Sequence, residues 1–266
     1  MDVVANGRRL FAANGGHAAR QDEPALVFLH GAGADHSVWT LQARYFAHHG
    51  FAVVAVDLPG HGRSPGPPCA TIEDMADTVI AAIGALDREK ATLVGHSMGA
   101  LVALEAAARA PHRVSRLALL GGGVPMRVSP ALLAAAAQDV CAAAAMMVGW
   151  GYGASVPIGG HPSPGLWMTG GGARLIERAP PGTLQADLVG CDRYQSGPAS
   201  AAGLDCPILL LRGAEDRMIG RGAAAALAEA LPRATTMSLN CGHFMMSEQP
   251  DAVLDALREF LAAYAG

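Results

Sequence analysis

The chain carries no excess of basic residues: 19 Lys and Arg stand against 23 Asp and Glu, for a formal net charge of -4. Without a basic field, and without a basic run interleaved with aromatics, it lacks the electrostatic footprint of a nucleic-acid binder, and no nucleic-acid partner is expected. Cysteine is scarce and scattered. Cys69, Cys141, Cys191, Cys206 and Cys241 are odd in number, and none stands in a Cys-Xaa-Xaa-Cys pair. That pattern suggests neither a disulfide framework nor a zinc site, and reads as reduced thiols. Residues 1–16 mix Asp2, Asn6, Arg8, Arg9 and Asn14 with short apolar pairs and lack the continuous apolar core of a signal peptide. Long hydrophobic runs are missing further on as well. The most apolar stretch, residues 131–153, is mostly alanine and is interrupted by Gln138 and Asp139, so it reads as a packed helix and not a membrane span. A cytoplasmic protein with no membrane partner is expected, as a monomer or a homodimer.

What is present is an alternation. At 266 residues the chain can bury the core of one large α/β domain, with or without an insertion. Val3-Val4-Ala5, the turn Asn6-Gly7 and residues 8–13 have the pattern of a β-hairpin, because Asn-Gly supplies the positive φ angles that such a turn needs. The continuous apolar run at 25–29 reads as a strand buried on both faces, 51–56 and 114–120 read as buried strands, and 91–94, 206–211 and 235–239 read as further strands. Helical patterns lie between them: one after a cap at Asp35-His36-Ser37, then 71–86, 98–110, 221–231 and 249–264. Such alternation predicts a doubly wound, mostly parallel sheet with helices on both faces. From about 124 to 203 it lapses into Ala-rich helical pieces at 129–147, 173–179 and 183–191, separated by Gly/Pro-rich stretches such as Gly159–Gly165. The expected organisation is a core of residues 1–123 and 204–266, with a helical lid at 124–203 inserted over the sheet.

The stretch around which this arrangement turns is Gly95-His96-Ser97-Met98-Gly99, where an apolar strand stops and an Ala/Leu-rich helix begins. A strand, a sharp turn and a helix would leave the Ser97 hydroxyl alone above the sheet, with glycines where neighbours come too close for a Cβ. The Met98 N–H, at the positive end of the helix, would then point at any negative charge forming beside the serine. A serine hydroxyl is a weak nucleophile. It needs a base to take its proton and a third group to orient that base. In a parallel sheet reactive groups gather at the carboxyl ends of strands, and two candidates lie there: Asp216 after strand 206–211 and His243 after strand 235–239.

The order Ser97, Asp216, His243, together with His30-Gly31-Ala32-Gly33, Asp57-Leu58-Pro59-Gly60-His61-Gly62-Arg63-Ser64 and Gly213-Ala214-Glu215-Asp216, resembles the α/β-hydrolase fold family over nearly the whole chain. The resemblance implies Ser97 as nucleophile, His243 as base, Asp216 as the acid that orients it, and an oxyanion hole of the Ala32 and Met98 N–H groups. It implies no metal and no cofactor, and a small-molecule substrate. The expected activity is hydrolysis of a carboxylic ester. An enol-lactone or carbon–carbon bond hydrolase stands as one alternative, and a receptor-like homologue with little turnover as another.

Several residues have two readings. Glu215 competes with Asp216, whose spacing from Gly213 fits the family turn better. Trp39, Met146, Met147, Trp150, Trp167 and Met168 are candidates for an apolar substrate pocket, since thioethers and aromatics make adaptable walls, and packing explains them equally well. Arg174, Arg178 and Arg193 either pair with a substrate carboxylate or are surface charge. His30, His61 and His96 are expected to be structural, and Asp57, Arg63 and Ser64 to stabilise a turn. His36, His48, His49, His112 and His161 lack metal-ligand spacing. Cys241, near His243 but on no sharp turn, is expected to be a bystander.

Overall fold

The expected hairpin and the six further expected strands form eight strands in a computed structural model of the chain, which describes residues 1–156 and 166–263. The Gly159–Gly165 stretch with His161, and Tyr264 of the expected last helix, lie outside the described residues. The strands are β1 (Asp2–Ala5), β2 (Arg8–Ala13), β3 (Ala25–Leu29), β4 (Ala52–Val56), β5 (Ala91–His96), β6 (Val114–Leu120), β7 (Ile208–Gly213) and β8 (Thr235–Leu239). Their order across the sheet is β1-β2-β4-β3-β5-β6-β7-β8. The hairpin β1–β2 and the β2–β4 pair are antiparallel, and every pair from β4 to β8 is parallel. β5 therefore lies inside the sheet, in register with Leu29 of β3 at Gly95 and with Leu120 of β6 at His96.

Strand side chains alternate between two cores, as the pleat requires. Ala25, Val27 and Leu29 enter one core with Leu117, Leu119 and Leu210, whereas Leu26 and Phe28 enter the other with Ala118, Leu120, Leu209 and Leu211. Over the second face lie α1 (Thr40–Ala47) and the closing helix; over the first lie α2 (Ile72–Ala85) and α3 (Met98–Arg109). Thr71 caps α2 by accepting from the Asp74 N–H at 3.1 Å.

Between β6 and β7 run α4 (Pro130–Gln138), α5 (Val140–Gly151), α6 (Met168–Glu177), α7 (Thr183–Arg193) and α8 (Gly197–Ala202). The single helix expected at 129–147 is thus two. Alanine permits helix on either side, but the extended Asp139 turns its carboxylate onto the N–H groups of Cys141 and Ala142 at 3.0 and 3.1 Å and starts a new helix. The chain closes with α9 (Arg221–Ala230), the short α10 (Met245–Glu248) and α11 (Pro250–Ala263). The last of these is the expected closing helix; the short α10 before it was not expected, and the non-helical Gln249 separates the two as Pro250 opens α11. Among the described residues no helix is long and apolar enough to cross a membrane.

Candidate active site

Ser97 follows β5 directly and caps α3 with φ 54° and ψ -116°, a left-handed conformation that non-glycine residues rarely adopt. The turn is possible because its flanks are bare. A Cβ on Gly95 would lie 2.1 Å from the Gly99 carbonyl oxygen, and one on Gly99 would lie 2.3 Å from the Leu29 oxygen of the neighbouring strand. Gly99 thereby lets α3 start hard against β3. The Ser97 N–H donates to the Leu120 oxygen at 2.9 Å, so β6 fixes the turn from the other side.

β7 and β8 bring the other two predicted residues to the same edge. His243 Nδ1 lies 2.8 Å from Asp216 Oδ2, and both side chains are buried. A carboxylate at Nδ1 makes that nitrogen the proton carrier and leaves Nε2 bare to act as a base. Asp216 is held in turn by the Met218 and Ile219 N–H groups at 2.8 and 3.0 Å on its other oxygen. Burial works against its charge, but the imidazole and these donors outweigh it and hold the carboxyl below the ordinary range. Glu215, the competing acid, instead accepts from the Ala154 N–H at 2.8 Å. His96, beside the serine, faces the His243 carbonyl oxygen with Nε2 at 2.9 Å. Burial, helped by the adjacent His243, presses its pKa down to about 3, which keeps it a neutral strut.

Ser97, His243, Gly31 and Ala32 open together into a cavity of about 780 Å³. The Ala32 and Met98 N–H groups have no intramolecular acceptor among the described residues, as groups kept for a ligand oxygen would be. Of the predicted pocket residues, Met147, Trp167 and Met168 line the cavity. Met146 and Trp150 are half-buried against the core instead. Trp39 does not line the cavity: it is fully buried in the second core, with its ring centroid 5.1 Å from that of Phe28, where packing against the strands takes up its surface. Leu175, Ile176, Phe244 and Met246 are among the further apolar residues of the wall; none of them was singled out in the sequence. Arg174 and Arg178 also reach the cavity and Arg193 does not. Arg174 is paired with Glu177 at 2.6 Å and Arg178 with Asp35.

Three buried carboxylates escaped sequence reasoning, Glu105 in α3, Asp187 in α7 and Glu248 in α10. The signal for Asp187 was an acid on the apolar stripe Leu184, Leu188 and Cys191, at helical spacing. Among the described residues one cluster, Asp35, His36 and Asp57, brings metal-ligand atoms within 4.8 Å of one another. Its atoms are spoken for as a turn clamp: Asp57 takes the His36 Nδ1 and N–H at 2.8 and 2.7 Å and the Arg63 N–H at 2.8 Å, and Ser64 Oγ donates to the Asp57 carbonyl at 2.6 Å.

A mostly parallel sheet with a serine on a sharp strand-to-helix turn, and a His–Asp pair at the ends of later strands, defines the α/β-hydrolase class of fold. The sequence matches the model of the Alpha/beta hydrolase family over residues 26–256, a span that includes every site residue above, and the chain belongs to that family. It is 39% identical over 119 residues to a putative non-heme haloperoxidase of Mycobacterium phage D29, covering 44% of this chain and 41% of that one. The chain spans about half the length of the first curated relatives it matches, 41% of the phage protein and 56% of a relative matched over 248 residues. Among solved structures, the enol-lactonase of Burkholderia xenovorans LB400 superposes with a TM-score of 0.85 at 22% identity, covering 98% of this chain and 100% of that one. A thermophilic esterase of Thermogutta terrifontis gives 0.84 at 24%, covering 99% and 98%.

Proposed function

We propose that the chain is a serine hydrolase that cleaves a carboxylic ester of a small or medium, partly apolar substrate through an acyl-enzyme on Ser97. Ser97 Oγ attacks the carbonyl carbon as its proton passes to His243 Nε2. Asp216 holds Nδ1–H and stabilises the imidazolium that forms. The carbonyl oxygen becomes an oxyanion between the Ala32 and Met98 N–H groups, a pair in which each donor is worth roughly 3 kcal/mol of transition-state stabilisation. The alcohol leaves with the proton from His243, and water then repeats the sequence on the acyl-enzyme. The helices between β6 and β7 act as the lid, with α5 and α6 supplying the apolar wall for the acyl part.

The observation that carries this reading is the 2.8 Å His243–Asp216 contact at the same cavity as a serine held at positive φ. The two cavity arginines favour a neutral ester over an anionic ring-cleavage product, since each already has a carboxylate partner. The test is hydrolysis of a chain-length series of p-nitrophenyl esters by the wild type and Ser97→Ala. Turnover lost in the variant, with a preferred acyl length set by the cavity, supports the reading. Turnover surviving in Ser97→Ala contradicts it, and a wild type that binds esters without turnover points to a receptor.

A further inference from the structure

Asp187 has no part in the reaction above, yet it is completely buried on α7 against the loop that follows β3. Its Oδ2 accepts from the Gly33 N–H at 2.8 Å and faces His61 Nε2 at 2.8 Å, while Oδ1 has no partner among the described residues. The other His61 nitrogen, Nδ1, faces the Pro59 carbonyl oxygen at 3.1 Å. Both ring nitrogens thus meet acceptors, and the ring satisfies both only as an imidazolium. Burial opposes that charge, but the Asp187 carboxylate outweighs it and raises His61 above the ordinary histidine value.

The next ring carries the contact on to the oxyanion loop. His30 lies 4.6 Å from His61, centroid to centroid. Its Nε2 accepts from the Leu58 N–H at 3.1 Å, so Nδ1 carries the proton and donates to the Gly31 carbonyl oxygen at 2.9 Å. Burial and the charge on His61 push His30 down to about 4 and keep it neutral. The Gly31 oxygen and the Ala32 N–H belong to one planar trans peptide and point in opposite directions. Holding that oxygen, from His30 on one side and from the Ala34 N–H at 3.2 Å on the other, aims the Ala32 N–H away from both. The following peptide is held through its Gly33 N–H by Asp187. Ala32 is therefore pinned on both sides, once from the core and once from α7. The fit leaves no slack: Gly33 has φ +66°, and a Cβ there would lie 2.9 Å from Leu184 Cδ1 of the same helix. Thr183 Oγ1 adds a second tether by donating to the Gly60 carbonyl at 3.1 Å.

We propose that Asp187, with His61 as its buried counter-ion, is a positioning residue that locks α7 onto the oxyanion loop and holds the Ala32 N–H in line with the developing oxyanion. It rests on the serine-hydrolase reading. The oxyanion site is complete only while α7 is docked, so the helices over the sheet contribute to transition-state binding as well as to the pocket wall.

The test compares wild type, Asp187→Ala, Asp187→Asn and His61→Gln on a p-nitrophenyl ester, with thermal unfolding measured in parallel. Binding of a trifluoromethyl ketone, which forms the tetrahedral oxyanion on the serine, is compared with binding of a non-electrophilic ether of the same chain length. Asp187→Ala is expected to lower kcat by about 10-fold or more with KM unchanged, short of the roughly 10²–10³-fold cost of deleting a donor outright. Its affinity for the ketone falls by the same factor and its affinity for the ether does not. Asp187→Asn, which keeps an oxygen for the Gly33 N–H, recovers part of the loss and decides the matter if the alanine variant does not fold. Unchanged kcat and ketone affinity overturn the proposal, as does an equal loss for ketone and ether. A wild type that neither turns over esters nor reacts with a fluorophosphonate defeats the serine-hydrolase reading itself, and this inference with it.

Discussion

Glu248→Ala is expected to loosen the loop carrying His243 before it changes anything else. The buried Glu248 carboxyl accepts on Oε2 from the Gly153 N–H at 2.9 Å and the Gly242 N–H at 3.0 Å, tying the residue before His243 to the turn after α5. The His243 N–H lies in the same seam, on the Gly151 oxygen at 2.5 Å. Alanine would strand two buried N–H groups, at about 1–3 kcal/mol each, or about 2–6 kcal/mol together. That is a large part of the roughly 5–15 kcal/mol that stabilises a typical domain. At about 2–4 °C per kcal/mol for a chain near this size, Tm should fall by at least about 4 °C in calorimetry. Glu248→Gln keeps an oxygen for both N–H groups and should fall less. Burial, the largest influence, raises the Glu248 carboxyl above the ordinary range in spite of those donors. The folded state then holds this proton more tightly than the unfolded chain, so wild-type stability drops as pH rises from the ordinary carboxylate value to the raised one. The glutamine variant lacks that component, and its stability relative to wild type should improve across the same window. An alanine variant that melts with the wild type would refute the reasoning.

Three further outcomes follow from the geometry. Asp216→Asn should keep the fold and the ester KM but lower kcat by about 10⁴-fold, because Nδ1 loses the acceptor that sets the His243 tautomer; steady-state kinetics on a p-nitrophenyl ester checks it. Gly99→Ala should abolish soluble, active protein, since its Cβ would meet the Leu29 and His30 carbonyl oxygens at 2.3 and 2.6 Å, backbone atoms that cannot move aside. Gly149→Ala, in α5 with nothing within 4 Å of the new Cβ, should instead raise stability by roughly 0.5–1 kcal/mol, read as a higher Tm.

The site was legible where chemistry is tied to strand ends. Ser97, Asp216 and His243 each follow an expected strand closely, so a parallel sheet brings them to one edge whatever lies between. The Ala32 loop was readable for the same reason. The helices over the sheet were less so. Alanine fixes helix without fixing which face is buried, so the break at Asp139 and the inward face of α7 depended on single polar residues. Trp39 shows the limit from the other direction: its size suited a pocket wall and a packed core equally, and it packs on Phe28 in the core. Asp187 and Glu248 were hidden because a lone acid in a helix reads as a solvated one until its neighbours are known.

The most direct test of the central claim is covalent labelling with a fluorophosphonate, followed by peptide mass mapping and residual ester hydrolysis on the same sample. The account predicts one adduct, on Ser97, with loss of hydrolysis in proportion to labelling and no adduct in Ser97→Ala. An adduct on another residue, or hydrolysis that persists after Ser97 is fully labelled, would contradict it.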